Sequence, residues 1–202
     1  CCEIGMIPAI DGESGVQGCN LVEINGKYCD TEERFAACCR AAAILGTLQA
    51  GYTDFGYLTA VSKRIFDREA LLGCSVTGIM DNPDVLLNKR IQQAGAKVIL
   101  EHNARVARLI DINPTARATC VKPAGSTSCV LETASGIHPH HAKRYLRRTQ
   151  ANRNEFPLQL VQRINPAAVE PSVWSAGGTD QVISFACEVP KGARLKNDIS
   201  AV

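Results

Sequence analysis

The chain has 202 residues, of which 46% are hydrophobic and 21% are charged, and its formal net charge is +2. This composition predicts a globular core and argues against an extended basic surface of the kind that binds nucleic acid. The longest apolar runs, such as residues 41–45, are far too short to cross a bilayer, so no membrane association is expected.

Cysteine is frequent, with ten residues in the chain. No Cys-x-x-Cys pair occurs, so the spacing most typical of a zinc site is missing and no metal is expected. The long helical patterns argue against a secreted disulfide scaffold. We therefore predict a cytoplasmic, reducing compartment in which most cysteines are buried as small hydrophobic residues.

The first 72 residues change from loop to helix. Residues 1–30 are rich in glycine and predict loops, interrupted by a short strand at residues 20–24. Thr31 is a suitable N-cap, and the apolar periodicity after it predicts a helix that ends near Gly51. A second helix is predicted over residues 58–72.

The middle of the chain alternates between buried strands and a long helix. Residues 74–80 predict a buried strand, and the apolar spacing of residues 84–112 predicts one long helix that ends before Pro114. Residues 118–121 predict a second buried strand. Residues 123–128 predict the tight loop that follows it.

The last third of the chain predicts a strand at residues 145–149 with a basic exposed face, a helix at 156–164 and a strand at 181–186. Helices alternating with short buried strands are typical of an α/β fold with largely parallel strands. We expect one domain without a linker. Because the chain opens on Cys1 and no tail-like composition closes it, we interpret both ends as those of a fragment.

Four separated segments contain residues suited to chemistry. Cys1-x-Glu3 opens the chain, and a glycine-rich loop leads from it to Cys19-Asn20-Leu21. The other three segments follow in order: Ser75-Val76-Thr77-Gly78-Ile79-Met80-Asp81, Lys122-Pro123-Ala124-Gly125-Ser126-Thr127-Ser128 and Ser135-Gly136-Ile137-His138-Pro139. In this order they resemble ribonucleotide reductases, and the resemblance covers essentially the whole chain.

The resemblance implies a fold and a reaction. Residues 1–202 would form the C-terminal half of the catalytic domain, which is part of a ten-stranded α/β barrel with a catalytic finger loop inside it. By resemblance, Cys1 is the thiyl-radical site, Glu3 is the base and Cys19 is one thiol of the reductant pair. The partner of Cys19 would lie upstream of this chain, so we expect the fragment alone to be inactive.

These residue types suit the removal of a ribose 2′-hydroxyl. A cysteine sulfur can hold a radical and abstract the hydrogen at C3′, and a carboxylate can accept the proton of the 3′-hydroxyl. Two further thiols can supply two electrons and close into a disulfide. A Cys-x-Glu triplet alone has little specificity, and Cys1 and Cys2 could exchange roles; we favour Cys1 because it lies two residues before Glu3. Cys29 is an alternative reductant thiol, although a structural role is favoured.

The segment after the second buried strand has the ingredients of an anion site, namely a flexible glycine, hydroxyl groups and main-chain N–H groups. By resemblance it holds the phosphates of the substrate. The candidate residues are Pro123, Ala124, Gly125, Ser126, Thr127 and Ser128. An ordinary capped turn between a strand and a helix is the alternative.

Three histidines, His138, His140 and His141, lie close together in sequence. No acidic or cysteine ligand accompanies them nearby, so we interpret them as partly exposed loop residues rather than as metal ligands. Three arginines that follow are expected to form a solvated or interdomain surface.

The resemblance also implies cofactor and partners. The strictly anaerobic class of reductases lacks the base, so Glu3 argues against that class. The amino-acid sequences of two of the segments are most similar to those of the adenosylcobalamin-dependent class. The expected partners are a ribonucleoside di- or triphosphate, a thioredoxin-like or dithiol reductant, and an allosteric nucleotide bound outside this chain. The alternatives are an oxygen-dependent reductase with a separate metal subunit and, more remotely, a thiol-redox protein or a nucleotide-binding module without radical chemistry.

Overall fold

A computed structural model describes residues 4–200 of the chain. Its helices are α1 (Glu32–Ala50), α2 (Ala60–Glu69), α3 (Pro83–Leu86), α4 (Lys89–Leu109), α5 (Gly125–Val130) and α6 (Phe156–Ile164). Its strands are β1 (Ala9–Ile10), β2 (Glu13–Ser14), β3 (Asn20–Asn25), β4 (Leu72–Thr77), β5 (Arg144–Asn152), β6 (Val169–Pro171) and β7 (Asp180–Glu188). The predicted α/β class is confirmed.

The chain divides into two compact units, one made of residues 4–140 with 190–200 and the other of residues 141–189. The first unit contains a parallel sheet, and the second contains an antiparallel one. The sheets are small and open, so the ten-stranded barrel and the assignment of the whole chain to it stay predictions.

The sheet of the first unit is built from β3 and β4, which pair in parallel from Asn20 opposite Leu72 to Asn25 opposite Thr77. A third segment extends it, because the main chain of residues 117–120 exchanges hydrogen bonds of 2.9–3.1 Å with β4. The strand predicted at residues 118–121 is therefore reduced to a single parallel bridge between Thr119 and Cys74.

One face of this sheet is covered by α1 and α4. Val22 and Ile24 of β3 and Leu72, Cys74 and Val76 of β4 pack with apolar residues of the two helices in the main hydrophobic core. Side chains alternate between the faces of a strand, so Leu21, Glu23 and Asn25, together with Gly73, Ser75 and Thr77, lie on the opposite face. We call this opposite face the site face.

Hydrogen-bonding side chains set the helix boundaries. Thr31 accepts a hydrogen bond from the main-chain N–H of Arg34, which confirms the predicted start of α1. The single helix predicted at residues 84–112 is wrong, because Asn88 interrupts it. Its side chain accepts hydrogen bonds from the N–H groups of Arg90 and Ile91, and α4 begins anew after it.

The predicted strand at residues 74–80 is displaced toward the N-terminus. β4 begins at Leu72 and ends at Thr77, where Gly78 takes a positive φ of 77° and starts a short 3-10 turn. A Cβ at Gly78 would lie 2.6 Å from the Asp81 carboxylate and 2.7 Å from Cβ of Thr133. Only glycine therefore fits both the conformation and the space at this position.

The second unit is a three-stranded antiparallel sheet in the order β5-β7-β6, and α6 lies between β5 and β6 in sequence. The predicted elements at residues 145–149, 156–164 and 181–186 are present, but the expectation of largely parallel strands is wrong here. The exposed side chains of Arg144 and Arg148 pair with Glu188 and Glu170. Within residues 4–200, no helix is long and apolar enough to span a membrane.

Candidate functional site on one face of the parallel sheet

The predicted radical residue Cys1 and the predicted base Glu3 lie outside the described residues. The next residue, Ile4, is buried on the site face. A Cβ at Gly73 would lie 2.9 Å from Cδ1 of Ile4, 2.5 Å from Cδ2 of Leu21 and 3.1 Å from Sγ of Cys120. The missing side chain of Gly73 thus makes room for the side chain of Ile4 against the sheet.

Cys19 is half-buried and directly precedes β3. The residue after it, Asn20, donates two hydrogen bonds to the carbonyl of Leu71, one from its main-chain N–H at 2.8 Å and one from its side-chain amide at 3.0 Å. The main chain next to Cys19 is therefore held firmly. Alternation along the strand puts Cys19 on the same side as Leu21 and Glu23.

The loop between Ile4 and Cys19 is held by the end of α2. The buried carboxylate of Glu69 accepts hydrogen bonds from Gln17 at 2.5 Å, from Arg68 at 2.7 Å and from Arg117 at 3.1 Å. Arg68 also donates to the carbonyls of Ile7 and Ala9. One acidic side chain therefore joins both arms of the loop to the helix behind it.

A charged pair lies on the site face. Oε1 of Glu23 is 3.4 Å from Nζ of Lys122, and these side chains are 7% and 20% exposed. Burial raises the pKa of the Glu23 carboxyl, and the positive charge of Lys122 opposes that rise. The sequence analysis assigned no role to Glu23 or to the side chain of Lys122.

The predicted phosphate loop follows Lys122. Ala124 takes a positive φ of 51° and precedes α5, whose first turn has no side-chain cap. Gly125 and Ser126 are exposed, whereas the hydroxyl of Ser128 is buried and donates to the carbonyl of Gly125 at 2.8 Å. The exposed main chain of residues 125–126 is thus available to a ligand, and the hydroxyl of Ser128 is engaged locally.

A buried polar cluster lies behind this loop at the end of β4. The Thr77 hydroxyl donates to the carbonyl of Ala134 and accepts from the N–H of Gly136, each at 3.0 Å. Asp81 accepts a hydrogen bond from the N–H of Ala134 at 3.3 Å and forms another hydrogen bond with His140. The expectation that His140 is partly exposed is wrong, since only 6% of this residue is exposed.

Among the described cysteines, only Cys29, Cys39 and Cys74 are buried. The prediction that most cysteines are buried is therefore wrong, since Cys38, Cys120 and Cys187 are half-buried and Cys129 is exposed. Cys29 and Cys39 are fully buried and Cys74 is 3% exposed. Burial raises the pKa of Cys39 and of Cys74 to about 12 and raises that of Cys29 as well. No group of three or more His, Cys, Asp or Glu side chains that could hold a metal ion occurs within residues 4–200.

A cavity of about 460 Å³ opens on the helix-covered side of the sheet. Ile24, Phe35, Leu86 and Ile99 are among the apolar side chains that line it. Neither Cys19 nor the loop at residues 123–128 borders this cavity. It is therefore a mainly apolar space beside the core, although Ser75 of the site face also borders it.

Comparison with known proteins supports the resemblance. The chain is 24% identical over 146 residues to an adenosylcobalamin-dependent ribonucleoside-triphosphate reductase of Euglena gracilis, covering 69% of this chain and 19% of that protein. A crystal structure of a B12-dependent (class II) ribonucleotide reductase superposes with a TM-score of 0.65 at 16% identity, over 86% of this chain and 28% of that one. No family model matches the chain.

The chain thus spans about a fifth of the length of the curated relative and somewhat more than a quarter of the solved chain. The Euglena protein supports the likeness in sequence, and the solved structure supports it in fold. The resemblance of this chain to the adenosylcobalamin-dependent class of ribonucleotide reductases is therefore confirmed over these partial lengths.

Proposed function

We propose that the full-length product of this gene is a ribonucleotide reductase that reduces ribonucleoside di- or triphosphates by thiyl-radical chemistry. The observation that supports this most is the order of groups along the site face. Cys19 lies at its start, Glu23 and Lys122 follow, and the exposed loop of residues 123–128 comes next. A thiol and a phosphate-binding loop on one sheet suit a substrate with a ribose and a phosphate tail.

In the proposed reaction the Cys1 thiyl takes the hydrogen atom from C3′ and Glu3 accepts the proton of the 3′-hydroxyl. One thiol of the reductant pair protonates the 2′-hydroxyl, which leaves as water, and the other supplies the new hydrogen at C2′. Glu3 returns its proton to the 3′-oxygen. Cys19 and a second cysteine outside this chain give up two electrons and form a disulfide, which a dithiol or thioredoxin-like protein reduces. The hydrogen atom returns to C3′ from Cys1, so the thiyl is regenerated.

We propose adenosylcobalamin as the cofactor, and when bound it supplies the radical that is passed to a cysteine. No binding site for the corrin ring is identified within residues 4–200. The residues of this chain are therefore assigned only to substrate binding, proton transfer and thiol reduction. An allosteric nucleotide would bind elsewhere in the full-length protein.

The phosphates of the substrate are proposed to contact residues 123–128, where Gly125 and Ser126 expose main chain at the start of α5. Ala124, with its left-handed φ of 51°, directly precedes these groups. Thr127 and Ser128 complete the candidate set. Because the hydroxyl of Ser128 is already bonded to Gly125, its contribution is to the shape of the turn.

The test uses the full-length protein with a ribonucleoside triphosphate, a dithiol and adenosylcobalamin. We expect deoxyribonucleotide, and we expect none from Cys1→Ser, while the matched control Cys187→Ser, in the second unit, stays active. If product forms only when a metal-containing partner subunit is added, the roles of Cys1 and Glu3 are retained and the proposed cofactor is wrong. Undiminished turnover in Cys1→Ser would overturn the radical assignment.

A further inference from the structure

The charged pair on the site face is incomplete. Oε1 of Glu23 lies 3.4 Å from Nζ of Lys122, whereas a charge-assisted hydrogen bond between such groups is about 2.7–2.9 Å long. Neither carboxylate oxygen of Glu23 has a hydrogen-bond partner within residues 4–200, although its side chain is only 7% exposed. The two groups are therefore close enough to attract each other and too far apart to satisfy each other.

Such a pair is a poor way to stabilise a fold. A buried carboxylate loses its hydration, and attraction to a cation repays that loss only when good hydrogen bonds are also made. Two apolar residues of similar size would serve the core as well or better. An incompletely bonded charged pair next to a predicted binding loop therefore points to a ligand that completes it.

The main chain of Lys122 is fixed by contacts with two neighbouring segments. Its N–H donates to the Ser75 hydroxyl at 3.2 Å, and its carbonyl lies only 2.7 Å from where a Cβ on Gly136 would be. Lys122 is also the residue that directly precedes Pro123. Its side chain is thus anchored at the base of the loop, and Glu23 at 3.4 Å does not fully use the N–H donors of its ammonium.

We propose that Lys122 binds the phosphate groups of the nucleotide and that Glu23 is a positioning residue that holds the ammonium in place beforehand. This inference rests on the proposed nucleotide function and extends the phosphate site beyond residues 123–128. An ammonium group is a compact point charge and pairs readily with phosphate oxygens. A ribonucleoside di- or triphosphate would supply the acceptors that Glu23 does not provide at 3.4 Å.

The test measures equilibrium binding to the full-length protein without cofactor or reductant, so it does not depend on turnover. Lys122→Gln is expected to weaken binding of a ribonucleoside triphosphate about tenfold to a hundredfold and to leave binding of the phosphate-free nucleoside unchanged. Lys122→Arg should restore part of the affinity. The matched control is Lys27→Gln, which removes an equally long lysine–glutamate contact, 3.4 Å to Glu132.

Glu23 is tested in the same assay. Glu23→Gln should lower triphosphate affinity severalfold, Glu23→Asp should retain more of it, and the double variant Glu23→Gln/Lys122→Gln should bind no more weakly than Lys122→Gln alone. A rise in affinity in Glu23→Gln would mean that this carboxylate repels the phosphates and would overturn its positioning role.

Equal losses for nucleoside and triphosphate in Lys122→Gln, or no loss for either, would overturn the assignment of Lys122. The two proposals fail in different ways. Lysine-dependent triphosphate binding without reduction would remove the reductase function and retain this inference. Ribonucleotide reduction by a protein whose triphosphate affinity is unchanged in Lys122→Gln would retain the reductase function and remove this inference.

Discussion

His140 and Asp81 form a buried pair at the carboxyl end of β4, in which a ring nitrogen of the histidine hydrogen-bonds the carboxylate of the aspartate. Their side chains are 5% and 0% exposed. The other oxygen of Asp81 accepts the N–H of Ala134. One carboxylate therefore ties the end of the strand to the segment behind the predicted phosphate loop.

Breaking this pair should destabilise the fold strongly. His140→Ala leaves the Asp81 carboxylate buried without its main partner, and we expect a loss of about 3 kcal/mol in the free energy of unfolding. Urea denaturation measures it. His138→Ala, at an exposed histidine two residues away, is the control and should change stability by less than about 0.5 kcal/mol. Similar stabilities for the two variants would contradict the role of the pair.

Glu69 should control the order of the loop between Ile4 and Cys19. Glu69→Gln removes the charge that pairs with Arg68 and Arg117, both partly exposed, and we expect a loss of about 2 kcal/mol in stability. Hydrogen exchange of residues 5–18 should accelerate more than exchange in α1.

The control for Glu69 is Glu101→Gln on α4, which removes only an exposed ion pair with Lys97. If the loop residues exchange equally fast in both variants, Glu69 does not hold them. In the full-length protein we also expect Glu69→Gln to lower kcat more than nucleotide affinity, because the loop leads from Glu3.

Gly73 should tolerate no side chain. In Gly73→Ala the new Cβ would lie 2.5 Å from Leu21 and 2.9 Å from Ile4, so one of them must move. We expect about 1–3 kcal/mol of destabilisation and a loss of turnover in the full-length protein, because Ile4 directly follows Glu3. Gly5→Ala, where a Cβ would meet nothing within 4 Å, is the control. An active, equally stable Gly73→Ala protein would show that the start of the chain does not depend on this close contact.

The buried thiols should make the protein less stable in alkali. The pKa of Cys39 and of Cys74 is raised from 9.0 to about 12, so above pH 9 the unfolded chain loses protons that the folded chain retains. Stability is thus fully present below pH 9 and is lost as the pH rises toward 12, by about 1.4 kcal/mol per pH unit for each thiol.

Urea denaturation at pH 8, 9 and 10 measures this loss. Cys74→Ala should reduce the slope of unfolding free energy against pH above pH 9, whereas Cys129→Ala, at an exposed cysteine on α5, should leave it unchanged. A slope that is the same in all three proteins would show that Cys74 ionises equally in the folded and unfolded states.

Local features were predictable from the sequence, because their causes are local. The N-cap Thr31 lies within one turn of the N–H group that donates to it, and the alternation of side chains along β3 depends only on neighbouring residues. The resemblance itself was read from short motifs around Cys19 and Lys122. One local error, the helix through Asn88, arose because apolar periodicity ignores a side chain that competes for main-chain N–H groups.

Tertiary structure alone decided the pairings. The position of Glu23 in β3 predicts which face of the sheet it occupies, but it does not predict that Lys122 lies beside it. Likewise, nothing near Asp81 in the sequence indicates that it pairs with His140, which is 59 residues away. Strand direction in residues 144–188 was also decided by distant partners. The sequence by itself determined the local elements and the family resemblance, whereas the buried charges found their partners only when chain folding removed them from water, because an unpaired buried charge is too costly to retain.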